Sequence, residues 1–394
     1  MFNFEITKKS GKTRTARYKT PHGVLFTPAF IPVATKATIK TLDSADVRKT
    51  GFNSVLANTY HLMLQPGAEL VKKMGGLHKF MNWQGPIFTD SGGYQVFSLG
   101  KGLEYGVGKV AKGGFNKPVK ASLCQNKSLI KIMENGVEFR SHIDGRKIFL
   151  RPEDSIKIQE DLGADIIFAF DECTSPTDSK KYVAKSLERT HTWAKRSLAA
   201  HKRKDQALFG IVQGAEFRDL REKSAKFISN LPFDGFGIGG SFGKEEMRHV
   251  LDWTIPLLPE SKPRHMLGIG AVEDIFLAVE RGIDTFDCVE PTRLGRHGTL
   301  LTANGRMKIL NSRYKTDKNP VEKNCPCELC QNYSRGYLNH LFRAQEILGM
   351  RLATIHNLMF MNRLMEDIRK AINNGSFKEF KKKFLKKFKR AKTV

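Results

Sequence analysis

An α/β chain whose main body is a closed (β/α)8 TIM barrel, followed by a smaller subdomain built on a metal site, is the fold class the sequence predicts. Three observations predict it. Eight short apolar runs recur along the 394 residues, amphipathic helical stretches such as Arg151–Leu162 and Lys181–His201 lie between runs, and three cysteines crowd together after the last run. Strand, polar loop, helix and strand again is the order that builds parallel strands with crossover helices, and eight repeats suffice to close the sheet on itself. An open, doubly wound sheet is the alternative that the same pattern allows.

Taken in order, the runs are Phe26–Val33, Phe52–Ala57, Pro86–Thr89, Asp165–Phe170, Ala207–Val212, Gly235–Gly239, His265–Ile269 and Asp284–Val289. Asn58, Asp90, Asp171, Gln213, Gly240, Gly268 and Asp287 stand at or just past the C-terminal ends of seven of them, the rim where barrel enzymes assemble their active sites. The polarity of loops accounts for any one of these residues. It accounts less well for three aspartates and a glutamine beside glycines, where backbone can approach a ligand closely.

After Asp287 the barrel pattern stops, and Asn311–Asn332 is polar, basic and rich in cysteine before helical patterns resume. The expected division is a barrel domain over residues 1–310 and, over 311–394, a zinc-binding subdomain with basic C-terminal helices. Cys325, Cys327 and Cys330 have the spacing C-x-C-x2-C, which needs a fourth ligand for the closed tetrahedral site of structural zinc. His340 and His356 both follow in helical patterns, and spacing alone does not choose between them.

Composition narrows the function. Sixty-six Lys plus Arg against 40 Asp plus Glu leave a net charge of +26, a field that favours a polyanionic partner through long-range attraction and counterion release. Met1–Lys9 lacks the apolar core of a secretion signal, and no run approaches the roughly 20 apolar residues of a membrane span. The expected location is therefore the cytoplasm, with no membrane partner, and a reducing compartment favours a metal over disulfides for the clustered cysteines.

Asp90 lies in TDSGGYQVF and Asp287 in FDCVEPTRLGR. Two carboxylates on different barrel strands suit glycosidic chemistry, one attacking the anomeric carbon while the other handles a proton. Taken singly, either could instead cap a helix or hold an arginine. Asp171 in FAFDEC, Gln213 in IVQG and Gly240 in GIGGSFG form a base-reading set. A carboxylate accepts two parallel N–H bonds from a guanine-like edge, while an amide and a backbone N–H donate to its carbonyl. Tyr94 offers a face for stacking, and Arg293 and Arg296 follow Asp287 closely enough to grip phosphates.

In this order, TDSGGYQVF, FRSHIDG, FAFDEC, IVQG, GIGG, FDCVEPTRLGRHG and C-x-C-x2-C with a later histidine resemble the tRNA-guanine transglycosylases of bacterial type, from about Gly23 to the end. The resemblance implies a barrel with an inserted N-terminal antiparallel sheet and one structural Zn2+. It implies a homodimer that exchanges the wobble guanine of GUN-anticodon tRNAs (those for aspartate, asparagine, histidine and tyrosine) for 7-aminomethyl-7-deazaguanine (preQ1). Asp287 then resembles the nucleophile and Asp90 the general acid/base. Asp171, Gln213 and Gly240 match base-recognition positions, and Ser91, Gly92, Gly93 and Tyr94 share that pocket. Gly268, Ile269, Gly270, Ala271, Val272, Glu273 and Asp274 match one stretch that contacts RNA, and Thr292, Arg293, Leu294, Gly295 and Arg296 match another. The zinc ligands become Cys325, Cys327, Cys330 and His356. The chain departs from the family pattern at GGSFGKEE, at Leu267 where a methionine is common, and in the glycine- and lysine-rich segment Lys101–Cys124.

The tail has its own pattern. Phe377, Phe380, Phe384 and Phe388 recur at steps of three and four, with nine lysines and arginines between Lys378 and Lys392. A helix docked by its phenylalanines with a basic back fits this spacing, as does a membrane-surface helix; attraction of tRNA to the basic back is the further expectation.

Overall fold

The computed structural model describes residues 2–97, 130–240, 242 and 245–389. Segment Lys101–Cys124, the GGSFGKEE residues Ser241, Gly243 and Lys244, and residues 390–394 of the tail lie outside the described residues.

The chain opens with an antiparallel sheet of β1 (Asn3–Ser10), β2 (Thr13–Thr20) and β3 (Gly23–Thr27). Three barrel strands follow, β4 (Ala29–Ala34), β5 (Val55–Ala57) and β6 (Ile87–Thr89), then a second antiparallel sheet of β7 (Ile130–Met133), β8 (Gly136–Arg140) and β9 (Lys147–Leu150). The barrel resumes with β10 (Ile166–Phe168), β11 (Ala207–Val212), β12 (Gly235–Ile238), β13 (Arg264–Met266) and β14 (Thr285–Cys288). Parallel pairing runs right around the circle and closes between β6 and β10, with Phe88 opposite Ile166. Each of the eight expected runs overlaps one of these strands, so the open-sheet alternative is excluded.

The first run is divided. Phe26 and Thr27 finish β3 and Ala29 starts β4, with Pro28 between them. Proline has no N–H to give to a ladder, so it sits naturally where the chain leaves one sheet for another. Inside the barrel, Ile31, Leu56, Phe88, Ile166, Phe168, Phe209 and Ile211 fill the lumen, and Tyr18 and Leu25 of the N-terminal sheet complete that cluster at its lower end. The helices at Pro152–Leu162 and Lys180–Ala200 lie within a residue of their expected bounds. Gly163, at φ +74°, ends the first, and the Ser179 side chain caps the second by accepting the Tyr182 N–H.

Beyond the barrel come a hairpin, β15 (Thr299–Thr302) and β16 (Gly305–Lys308), and helices at Glu328–Asn332, Arg335–Arg343, Ile347–Asn373 and Phe377–Lys389. The long helix Ile347–Asn373 packs against Glu290–Arg296, the helix directly after β14. Gly295 permits that approach: a Cβ there would lie 3.0 Å from the Ala353 carbonyl oxygen. No helix among the described residues is long and apolar enough to cross a membrane.

Candidate active site

The C-terminal ends of the barrel strands surround a cavity of about 1290 Å³. Ordinary small-molecule pockets hold roughly 300–1,000 Å³, so this one has room for a base together with neighbouring nucleotides. Asp90, Ser91, Tyr94, Asp171, Gln213, Gly240 and Asp287, scattered over nearly 200 positions of sequence, all line it.

Asp90 follows β6 and is held from β5 and the turn after it. Its carboxylate accepts the Asn58 side-chain amide and, at 2.9 Å, the Thr59 N–H, while the Thr59 hydroxyl donates to its backbone carbonyl. Gln95 and the Gly92 N–H also reach the carboxylate. Protein atoms crowd the group although one side faces the cavity, and desolvation, reinforced by the nearby charge of Asp287, pushes its pKa up to about 7 against the opposing hydrogen bonds.

Asp287 is placed by β14, and its Oδ1 accepts the Gly268 N–H at 2.7 Å. His265 Nε2 lies 3.1 Å from the same oxygen, and His265 Nδ1 lies 2.9 Å from the Thr285 hydroxyl. A carboxylate only accepts, so the proton between them belongs to Nε2. His265 is fully buried between Phe88 and Phe168, which prevents the ring from swinging away.

The residues expected to read a base assemble at the tops of β10 to β12. Asp171 accepts Ser91 Oγ at 3.1 Å and Gln213 Nε2 at 2.6 Å. The neighbouring acid of the same motif points elsewhere: Glu172 is buried against Arg189 and accepts the Tyr182 hydroxyl at 2.7 Å. Gln213 Oε1 is buried without a hydrogen-bond partner among the described residues. Beneath Gly240 lies Arg221, whose guanidinium donates to the carbonyls of Val212, Ala215 and Gly239 and whose pKa burial lowers to about 9. Gly240 has φ +103°, and a Cβ there would lie 2.6 Å from Arg221 Nη2, so both backbone and space require glycine.

The metal-ligand candidates converge as well. His356 Nδ1 lies 3.8, 3.5 and 3.3 Å from the sulfurs of Cys325, Cys327 and Cys330, and all four residues are buried. A tetrahedral zinc with ordinary bond lengths sets S and N about 3.6 Å apart. The other ring nitrogen, Nε2, lies 2.8 Å from the Leu301 carbonyl, which keeps the proton there and Nδ1 free for a metal. His340 is exposed on the helix Arg335–Arg343 and is not part of the cluster. A second group, His22, His78 and Asp165, also comes together, with both imidazoles against one buried carboxylate.

A model of the queuine tRNA-ribosyltransferase family matches residues 9–390. The chain belongs to that family, the tRNA-guanine transglycosylases. Relatives include a protein of Archaeoglobus fulgidus, 50% identical over 97% of this chain and 98% of its own length. The queuine tRNA-ribosyltransferase of Desulforamulus reducens is 49% identical (98% and 97% covered) and that of Pelotomaculum thermopropionicum 48% (98% and 98%).

Within this member of the family, the two stretches expected to meet RNA divide. Gly268–Ala271, Glu273 and Asp274 line the cavity, as do Thr292, Arg293, Leu294 and Arg296. Val272 is buried in the core, Gly295 faces the long helix, and Gly92 and Gly93 shape the turn beneath Asp90 without lining the cavity. Leu267, the departure from methionine, lines the cavity too. Sequence reasoning did not single out His265, Thr59, Gln95, Arg221, Lys40, His61 or Arg306. His61 also lines the cavity, and burial pushes its pKa down to about 4, so it is neutral at physiological pH.

Proposed function

We propose that the protein exchanges the wobble guanine of GUN-anticodon tRNAs for preQ1 by double displacement. Asp287 attacks C1′ of the wobble nucleotide, the glycosidic bond breaks, and guanine leaves with the proton of Asp90. The ribose is then held as an ester on Asp287. Ionised Asp90 takes the N9 proton of preQ1, whose nitrogen attacks C1′ and releases Asp287, so configuration is retained and Asp90 returns protonated. A pKa about 7 suits a group that must give a proton and take one back at neutral pH. The observation that carries this reading is the sharing of one cavity by that proton carrier and the Gly268-held carboxylate of Asp287.

Asp171 and Gln213 place an acceptor carboxylate beside an amide, complementary to the N–H edge and carbonyl of a guanine-like base, with Gly240 closing the pocket and Tyr94 beside it. Gly268–Asp274 and Thr292–Arg296 contribute the RNA contacts around the extruded nucleotide. The family's substrate is tRNA, and we assign the protein to the cytoplasm as a homodimer. Mass spectrometry of GUN-anticodon tRNA incubated with the protein and preQ1 tests the reading. Replacement of one guanine by preQ1 is expected; tRNA of unchanged mass would sink it.

Cys325, Cys327, Cys330 and His356 fit one Zn2+, which would hold the subdomain together with all four positions filled by protein. Cys327→Ser is expected to lower zinc content and melting temperature together, since metal binding to such sites contributes folding free energy. A variant that loses zinc yet melts with the parent would make the site peripheral.

A further inference from the structure

The C-terminal helix Phe377–Lys389 has two sides with different occupations. On one, the rings of Phe377, Phe380 and Phe384 stand 6.1, 5.8 and 5.5 Å from Phe276, and those of Phe384 and Phe388 stand 6.4 and 6.3 Å from Phe360. Phe377 and Phe388 are each only 4% exposed. Full burial of such a ring stabilises by roughly 1.5–3 kcal/mol, so the helix is anchored with its rotation about its own axis fixed. At 100° per residue, Lys382 and Lys386 fall opposite the rings, Lys378 and Lys383 on the two flanks, and Lys387 at the edge next to Phe380, and all five are exposed. Lys381, on the flank, pairs with Glu280 at 2.8 Å; the other five make no ion pair among the described residues. Glu379 is the one acid on this helix.

The place of this ridge in the fold gives it a direction. The helix packs on β16, whose Arg306 lines the cavity and donates to Glu290 at 2.8 Å. It also packs, through Phe276, on the helix Val272–Val279, which starts where Ala271, Glu273 and Asp274 border the same cavity. The lysines therefore continue outward from a rim that already carries Arg293, Arg296, His297 and Arg306. Membrane-surface helices bury their apolar side in the bilayer; here that side is occupied by Phe276 and Phe360, which leaves only charge to meet a partner.

We propose that Lys378, Lys382, Lys383, Lys386 and Lys387 form a phosphate-binding ridge for the RNA whose reacting nucleotide enters the cavity. This rests on the exchange reaction proposed above. The ridge contributes affinity without sequence information, because phosphate contacts position a nucleic acid and do not read its bases. Each phosphate contact steepens the dependence of log affinity on log salt by about 0.7–0.9.

The test compares the parent with a variant carrying Lys382→Gln, Lys383→Gln, Lys386→Gln and Lys387→Gln, and with one carrying arginine at the same four positions. Binding of unmodified GUN-anticodon tRNA is measured across a salt series, alongside base-exchange kinetics. For the glutamine variant the salt slope should fall by about 1.4 or more, and KM for tRNA should rise roughly tenfold with kcat unchanged. Arginine should restore both. If early melting clouds the fourfold variant, Lys383→Gln and Lys386→Gln made singly should each lower the slope by about 0.7–0.9. Equal slopes for parent and glutamine variant would overturn the ridge, as would an effect seen only in sedimentation with phosphatidylglycerol vesicles. A parent that exchanges no guanine would instead remove the reading on which the ridge rests.

Discussion

Aspartates stand near both ends of β10 and of β14, Asp165 and Asp171 around the first and Asp284 and Asp287 around the second, and the two ends differ in how the charge is met. At the lower end, Asp284 is fully buried and accepts two guanidinium hydrogen bonds from Arg14, one of them at 2.9 Å, and the Arg264 N–H at 2.7 Å. Asp165 lies against His22 and His78 and takes the Ile87 N–H, and these bonds outweigh its burial, so its pKa falls below the ordinary value. At the upper end, Asp171 accepts a serine and a glutamine, and Asp287 a backbone N–H and a histidine. Asp90, at the top of β6, accepts neutral donors alone among its described contacts and has its pKa raised. The same residue type thus serves as a structural lock where a cation or paired donors fix its charge, and borders a cavity at the other end, where burial raises the pKa of Asp90. Only Thr285 and Phe286 separate Asp284 from Asp287, so what differs is depth in the barrel and partner.

The sharpest break of that comparison is a pair of isosteric changes. Asp287→Asn should abolish exchange and the covalent RNA adduct, because an amide is a poor nucleophile, while tRNA binding and melting temperature stay near the parent's. Asp284→Asn should do the reverse in kind: Arg14 loses its buried counter-charge, a change that typically costs about 3–5 kcal/mol, while any protein that folds still forms the adduct. Thermal melts and denaturing gels of enzyme with tRNA measure both. Adduct formation by Asp287→Asn at the parent's rate would remove the proposed nucleophile, and an unaltered melt for Asp284→Asn would remove the lock.

Next in size is Asp90. Asp90→Asn should slow guanine release by about 10²–10⁴-fold through lost proton transfer. The parent needs Asp90 protonated for that step, so its kcat/KM for tRNA should decline as pH rises through about 7, a limb absent from the residual activity of the variant. Stability follows the same sign. A carboxyl whose folded pKa is raised contributes fully below its unfolded pKa and loses that contribution as pH climbs through the folded value. The variant cannot ionise, so its melting temperature should gain on the parent's as pH rises from the ordinary carboxylate value of 3.8 to about 7, and the difference should level off above that. Parallel pH profiles of activity and melting would place Asp90 among the structural acids.

Much of this was legible from one chain because barrel strands are short apolar runs and the polar residues that follow them line the cavity. Asp90, Asp171, Gln213 and Asp287 obey that rule directly. What escaped depends on contacts remote in sequence. Asn58 and Thr59 meet Asp90 across about 30 residues, and Arg221 reaches back from a helix to the tops of β11 and β12. His340 and His356 both read as helical, and only the packing of the long helix over the cysteines buries one and leaves the other in solvent. The N-terminal sheet came from family resemblance, since β1 and β2 carry charged residues among their apolar ones and do not read as clean runs. His265 escaped differently: one histidine in an apolar run reads as core, and its burial agrees, but a ring nitrogen touches the carboxylate proposed as the nucleophile.

That position gives the finest division between lock and chemical group. His265 lies within β13 below the cavity rim, fully buried, with one nitrogen on Thr285 and the other on Asp287. Its role is positioning: Nε2–H aims Oδ1 of Asp287 and shares that oxygen with the Gly268 N–H. His265→Phe suits the aromatic surroundings of Phe88 and Phe168 but removes the donor. A hydrogen bond to a charged group contributes about 1.5–3 kcal/mol, so adduct formation should slow roughly 10–100-fold, less than for either aspartate proposed as catalytic. His265→Gln, which restores an N–H, should recover part of the loss. KM for tRNA should not move in either variant, since His265 lies beneath Asp287 and not along the cavity wall. If the phenylalanine variant formed adduct at the parent's rate, Gly268 alone would orient the nucleophile, and His265 would join the locks of the lower barrel.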